Sequence, residues 1–278
     1  NCYAMVEVPS GGLLLGTSKG LFLFEEETGT ISPVIVQEKI SDIKSLMLDS
    51  GGVLWIGRKI GISAINLNTY KSISLPEILH DIRYAEDFLE TDDGHIWICS
   101  YNGLFCYDPH TSDIRKFSVG DGIPDNEIHG IEEDGNGHLW FSTRKGLCRF
   151  DLQNEKINTF TTADGLPENR FTSYAHLKNK KGDMYFGGLN SIVHFNPNEI
   201  YVQHSQTEPV VSEIEVNGIR HSYSGNVIIL TPSERNVSFV LSAPDYASGN
   251  QGHFWYMLEG IDNNWQETGT DHKAAYHN

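Results

Sequence analysis

The chain has 278 residues, with 20 basic side chains against 37 acidic ones and a formal net charge of −17. Such a field repels a phosphate backbone and argues against general nucleic-acid binding. The length is ample to bury a core, and 27 glycines against 10 prolines suit an all-β chain with many tight turns.

A predicted strand, Tyr3 to Val8, opens the chain. It starts without a Met, a basic stretch or an apolar leader, so the sequence is read as a segment of something longer. No apolar run approaches the ~20 residues that a membrane helix needs.

One phrase then recurs five times. Gly12-Leu13-Leu14-Leu15-Gly16-Thr17 is followed by Gly20-Leu21, and Gly52-Val53-Leu54-Trp55-Ile56-Gly57 by Gly61-Ile62. Gly94-His95-Ile96-Trp97-Ile98-Cys99 is followed by Gly103-Leu104, and Gly137-His138-Leu139-Trp140-Phe141-Ser142 by Gly146-Leu147. Gly182-Asp183-Met184-Tyr185-Phe186-Gly187, before Ser191-Ile192, is the last copy. Aligned on the aromatic slot, Leu14, Trp55, Trp97, Trp140 and Tyr185 are 41, 42, 43 and 45 residues apart. A period in the forties with short strands predicts a β-propeller of four strands per blade.

The third unit parses into strand A (Arg83 to Thr91, innermost), B (His95 to Ser100), C (Leu104 to Asp108) and D (Ile114 to Ser118), joined by Asp- and Gly-containing turns. Apolar flanks around Trp55, Trp97, Trp140 and Tyr185 mark them as packing between blades rather than as ligand contacts. The D-to-A links repeat as Asp121-Gly122-Ile123-Pro124-Asp125-Asn126 and Asp164-Gly165-Leu166-Pro167-Glu168-Asn169. Asn126 and Asn169 are read as caps on the turn into strand A. After Asn196-Pro197-Asn198 the period stops, and Pro209 to Asn217, Asn226 to Leu230, Asn236 to Ser242 and His253 to Glu259 alternate as sandwich strands do.

Four cysteines, Cys2, Cys99, Cys106 and Cys148, form no C-x-x-C pair, which excludes a zinc ribbon or a thioredoxin motif. No H-E-x-x-H, G-x-S-x-G or phosphate loop is present, so neither metal, cofactor nor catalytic residues are expected. In an up-and-down blade the B–C and D–A loops share one face. Lys19, Arg58, Lys59, Tyr101, Asn102, Arg144, Lys145 and Asn190 lie in B–C loops there, and Arg170 in a D–A loop. Five of the 20 basic residues thus fall in short B–C loops of an acidic chain. Singly, each is the charge of a solvated turn; together they are a candidate ligand site on a rigid scaffold.

The two D-G-[IL]-P-x-N links, the Trp phrases and Tyr107-Asp108-Pro109 resemble the two-component regulator propeller repeats of hybrid two-component sensors from Bacteroides-type bacteria. Phe254 to Trp265 and Ser242-Ala243-Pro244-Asp245-Tyr246 resemble the Tyr-rich β-sandwich domain that follows such propellers. The resemblance implies five blades (about 1–35, 36–76, 77–119, 120–162 and 163–200) out of a seven-bladed ring. An Ig-like β-sandwich would follow over 201–278, cut short, with Ala275 to Asn278 leading into its next strand. It also implies a periplasmic module of a membrane-anchored histidine kinase that senses oligosaccharides, some of them anionic, and works as a homodimer of the parent protein, this segment itself touching neither nucleic acid nor membrane. A propeller glycosidase or lyase and a protein-binding scaffold are the alternatives. Sialidase-type boxes fit poorly, since Leu48, Glu90 and Glu133 occupy their Ser slot.

Overall fold

The computed structural model describes residues 1–9, 11–36, 40–200, 210–221, 229–231, 233–242, 254–262, 265–268 and 271–277. The chain divides into two compact units, Asn1–Tyr201 and Val202–Asn278.

The first unit is a series of antiparallel meanders, each strand pairing with its neighbour in sequence. Blade one holds β1 (Cys2–Glu7), β2 (Leu13–Thr17), β3 (Gly20–Glu25) and β4 (Thr30–Pro33). Blade two holds β5 (Ile43–Leu48), β6 (Val53–Arg58), β7 (Ile62–Asn66) and β8 (Lys71–Ile73). Blade three holds β9 (Asp87–Glu90), β10 (Ile96–Ser100), β11 (Gly103–Tyr107) and β12 (Ile114–Phe117). Blade four holds β13 (Ile128–Glu133), β14 (His138–Thr143), β15 (Leu147–Asp151) and β16 (Ile157–Phe160). Blade five has three strands among the described residues rather than the expected four: β17 (Phe171–Lys178), β18 (Met184–Gly188) and β19 (Ile192–Phe195). The stretch where its fourth would follow, 201–209, lies outside the described residues.

First strands line up along the inside, β1 beside β5, β5 beside β9, β9 beside β13 and β13 beside β17. Among the described residues no comparable packing joins β17 back to β1. The seams between blades are apolar and aromatic. Trp55 meets Tyr107 of the next blade at 5.7 Å, Trp97 meets Phe150 at 5.4 Å, and Trp140 meets Phe195 at 4.6 Å. Each indole therefore hides its large apolar area against its neighbour's aromatic ring. Cys99 and Cys148 are buried in the same seams and Cys106 nearly so; burial pushes the Cys106 thiol up to about 11 and the Cys148 thiol to about 12.

The linkers differ from expectation in one detail. Asn126 and Asn169 do not cap the turn into strand A. Their Oδ1 atoms accept from the backbone N–H of Val119 (3.0 Å) and Thr162 (2.7 Å), seven residues back, closing the short 3-10 turns Val119–Asp121 and Thr162–Asp164. Gly122 and Gly165 end those turns at φ 98°, where a side chain would be strained.

The second unit contains β20 (Val210–Val216), β21 (Ile219–His221), β22 (Asn236–Ser242), β23 (Trp255–Tyr256), β24 (Gln266–Glu267) and β25 (Lys273–His277). They form one antiparallel sheet in the order β21-β20-β22-β25 and a separate β23-β24 ribbon, around a small core of Ile214, Val216 and Val237. Among the described residues these are a four-stranded sheet and a two-stranded ribbon, not the two full facing sheets of an Ig-like sandwich. Lys273–His277 is itself a strand of the sheet, pairing with β22, rather than a lead into a further one. Ile229 and Leu230 are not in a strand, while 226–228, 243–250 and His253 lie outside the described residues. Only Trp255–Tyr256 of the expected His253 to Glu259 strand is extended and paired.

Candidate functional site

The inner strands do not run straight. Register slips by one residue between Cys2 and Ala4, between Ile43 and Ser45, and between Ile128 and Gly130. Blade three keeps the same slot just before β9, where the Glu86 N–H still donates to the Cys99 carbonyl at 2.9 Å. In β17 the irregularity widens to span Phe171 to His176. A bulge turns its extra side chain out of the alternation. The residues so turned are Tyr3, Lys44, Glu86, His129 and Tyr174, one per blade, on strands that line the inside of the blades.

Several of them, and their neighbours, are in contact. Lys44 Nζ lies 4.1 Å from the centre of the Tyr3 ring. His129 Nδ1 is 3.2 Å from the Ser173 hydroxyl, and its ring stands edge-on to Tyr101 at 6.1 Å. Tyr101 stacks on Tyr84 at 4.6 Å, and Lys59 Nζ sits 5.9 Å from the Tyr84 ring. Both Tyr84 (φ 49°) and Tyr174 (φ 62°) hold left-handed backbone conformations, unusual for bulky residues and costly unless the surroundings impose them. Next to this cluster Tyr101, Glu127, His129, Arg144, Arg170 and Ser173 help to line a hollow of about 310 Å³. Arg144 is bound to Glu127 at 2.9 Å. Arg170 is exposed and has no hydrogen-bond or ion-pair partner among the described residues.

The electrostatics follow from burial. His129 is held below the ordinary imidazole value, first by desolvation, with Arg144 and Arg170 acting in the same direction against Glu127. It is therefore neutral at pH 7. Burial raises the Glu86 carboxyl, and burial followed by the charge of Glu86 raises the Tyr101 and Tyr174 phenols. The arrangement offers a guanidinium for an anion, a phenol ring for a sugar face, and neutral donors and acceptors for hydroxyls.

Of the residues singled out by sequence, Tyr101, Arg144 and Arg170 come together in this hollow, and Lys59 approaches through Tyr84. The others do not join them. Arg58, which stands where blades one and four have a Thr, lines a separate hollow with Ile62, Ser63, Leu75 and His80. Asn102 is used structurally, its Oδ1 accepting from the Arg83 N–H at 2.7 Å. Lys19 and Lys145 are exposed, their backbone N–H groups held by Thr17 and Thr143 at the turn. Asn190 is exposed, and its N–H donates to Glu168. Tyr84, Glu86, His129, Ser173 and Tyr174 were not singled out. The sequence signal for Glu86, His129 and Tyr174 is the place in each unit just ahead of the inner strand's regular alternation, where the blades carry four kinds of polar or aromatic residue.

A second polar cluster lies on the same inner strands. The His176 ring bridges Asp87 (3.0 Å) and Glu132 (3.0 Å), so a single imidazole ties together three consecutive inner strands. Desolvation opposes its charge, but the two carboxylates outweigh it and push the imidazole up to about 10. Gly130 leaves the room: a Cβ there would lie 2.2 Å from the His176 ring.

Residues 122–145 match the family described as Two component regulator propeller. In fold the chain is similar to the extracellular domain of a hybrid two component system protein from B. thetaiotaomicron (TM-score 0.71, 21% identity, 99% of this chain and 40% of that one). A second such domain from that organism aligns at TM-score 0.56 and 22% identity over 100% of this chain and 40% of its own. Virginiamycin B lyase from Staphylococcus aureus aligns at TM-score 0.53 and 14% identity over 86% of this chain and 90% of the lyase. In sequence the chain is 22% identical over 247 residues to Histidine kinase P4 from Formosa agariphila, covering 81% of this chain and 18% of the kinase. The chain thus spans less than half of these two-component relatives. It carries a two-component regulator propeller repeat within an all-β fold of propeller blades.

Proposed function

We propose that this chain is part of the extracytoplasmic sensing region of a membrane-anchored hybrid histidine kinase, and that the loop face of its propeller blades captures anionic oligosaccharides. The observation that carries the reading is the hollow where Arg170, without a hydrogen-bond or ion-pair partner among the described residues, and Arg144 stand beside the Tyr101 ring. The repeat at 122–145 and the likeness to extracellular domains of two-component proteins support the sensing role. The second unit, as a β-sandwich, relays the event through a homodimer of the longer protein. Binding signals only if one arrangement of the parent protein holds the ligand better than another. The segment binds without turnover.

Calorimetric titration with neutral, uronic and sulfated oligosaccharides, with the products analysed afterwards, tests this. Preference for the anionic sugars, reduced roughly tenfold or more by Arg170→Ala, is the expected result. Cleavage of the sugar would move the chain to a propeller lyase or glycosidase. An equal response to neutral and anionic sugars would remove the role assigned to Arg170.

A further inference from the structure

Glu86 is not explained by an anion-binding hollow. It is 4% exposed, and its Oε2 has no hydrogen-bond partner among the described residues. An unmade bond on a buried carboxyl oxygen is expensive, and a native fold retains one only for a reason. The oxygen is not isolated from the site. The Ser173 and Tyr174 hydroxyls approach the carboxyl, and Lys44 and Asp87 are the charges that act on it. Ser173 and Tyr101 also line the hollow, so Glu86 sits directly behind its wall. Tyr174, which helps to cover it, is held at φ 62° in the widened irregularity of β17 and is about half exposed.

An acidic partner is ruled out by charge. A cationic one is disfavoured, because Lys44 already places its ammonium over Tyr3 beside this carboxyl. A neutral donor remains, and among groups borne by a saccharide that donor is a hydroxyl. We infer that Glu86 forms a second, hydroxyl-reading subsite, in which Oε2 accepts a hydrogen bond from a neutral sugar ring that reaches past Ser173 and Tyr174. Arg170 then recognises the charge of the ligand, while Glu86 recognises a hydroxyl on the ring that is buried deepest. A site built around a buried polar group rejects analogues that leave it unpaired, so this subsite sets selectivity more than affinity. The inference rests on the reading of the hollow as a sugar site, but it does not need the ligand to be anionic.

The test uses neutral probes. Glucose, galactose, mannose and their deoxy and O-methyl derivatives are titrated while the His129 imidazole signal is followed by proton NMR. The expected result is a weak, saturable shift of His129 with at least one hexose, lost or weakened roughly tenfold when a single hydroxyl is removed or methylated. Glu86→Ala should abolish the discrimination, and the near-isosteric Glu86→Gln should blunt it while keeping the fold. If neutral hexoses leave His129 unmoved but an anionic oligosaccharide binds through Arg170, the subsite is refuted and the wider reading stands. Neutral binding through Glu86 with no anionic preference supports the subsite and refutes the role of Arg170. No shift with any sugar refutes both.

Discussion

The seams between blades and the inner strands of the same blades are built on opposite terms. At the seams the same slot is filled three times by Trp, each ring pressed on an aromatic of the following blade. On the inner strands one bulge slot is filled by Tyr3, Lys44, Glu86, His129 and Tyr174, five residues of four kinds, among which Lys44 lies over the Tyr3 ring and Tyr174 meets Glu86. Repetition marks where every blade solves the same packing problem. Divergence at a structurally equivalent position marks where the blades have stopped being equivalent, which is what a single asymmetric site requires. A repeat protein can therefore be read twice, once for what it keeps and once for where it departs from itself.

The sharpest way to break this contrast is at a seam. Trp140 is 1% exposed and packs on Phe160 and Phe195. Trp140→Ala should cost about 3–5 kcal/mol, read as a fall in urea midpoint at constant slope. A cost under about 1 kcal/mol would mean that the seams do not carry the fold.

Next in size is the His176 bridge, where polar groups on inner strands act as a seam does. Its folded value of about 10 lies above the unfolded imidazole's 6.5. The stabilisation is thus complete below about pH 6.5 and is lost as pH rises from there towards 10. His176→Ala should cost about 2–3 kcal/mol at pH 6.5, because Asp87 and Glu132 lose their shared cation. The difference between wild type and variant should shrink steadily up to pH 10 in unfolding curves measured across that range. A difference that does not change with pH would show that the bridge is not ionic.

The smallest effect belongs to the linkers. Asn169→Ala removes one side-chain bond to the Thr162 N–H and should cost about 1 kcal/mol, seen as a modest drop in thermal midpoint with ligand binding unchanged. A loss of binding without loss of stability would place the linker in the site instead.

Much of the fold was legible because it repeats. The 41–45-residue step, the turn glycines and the aromatic slot all report local constraints that every blade shares. The second unit was less legible, since its strands alternate without any period and its register depends on long-range pairing; β25 joins β22 from 37 residues away, Ala275 against Ser238. The candidate site was legible only in part. Loop charge pointed to Arg144 and Arg170, because a loop cation has few structural uses. It also pointed to Arg58 and Asn102, which the fold turns to other neighbours. Glu86 and His129 were hidden because a bulge, not the residue itself, reverses the direction of the side chain. A period-two strand pattern would have assigned them the opposite face.

The three buried cysteines have a consequence for handling the protein. With thiols at about 11 and about 12, Cys106 and Cys148 present almost no thiolate near neutrality, and Cys99 is shifted in the same direction. Folded, they are slow targets for peroxide, for disulfide exchange and for alkylating reagents. Unfolded, they recover ordinary reactivity together. Because Cys99 and Cys148 lie in the seam between blades three and four, their rate of labelling is an internal clock for the opening of that seam, once the exposed Cys2 has been blocked.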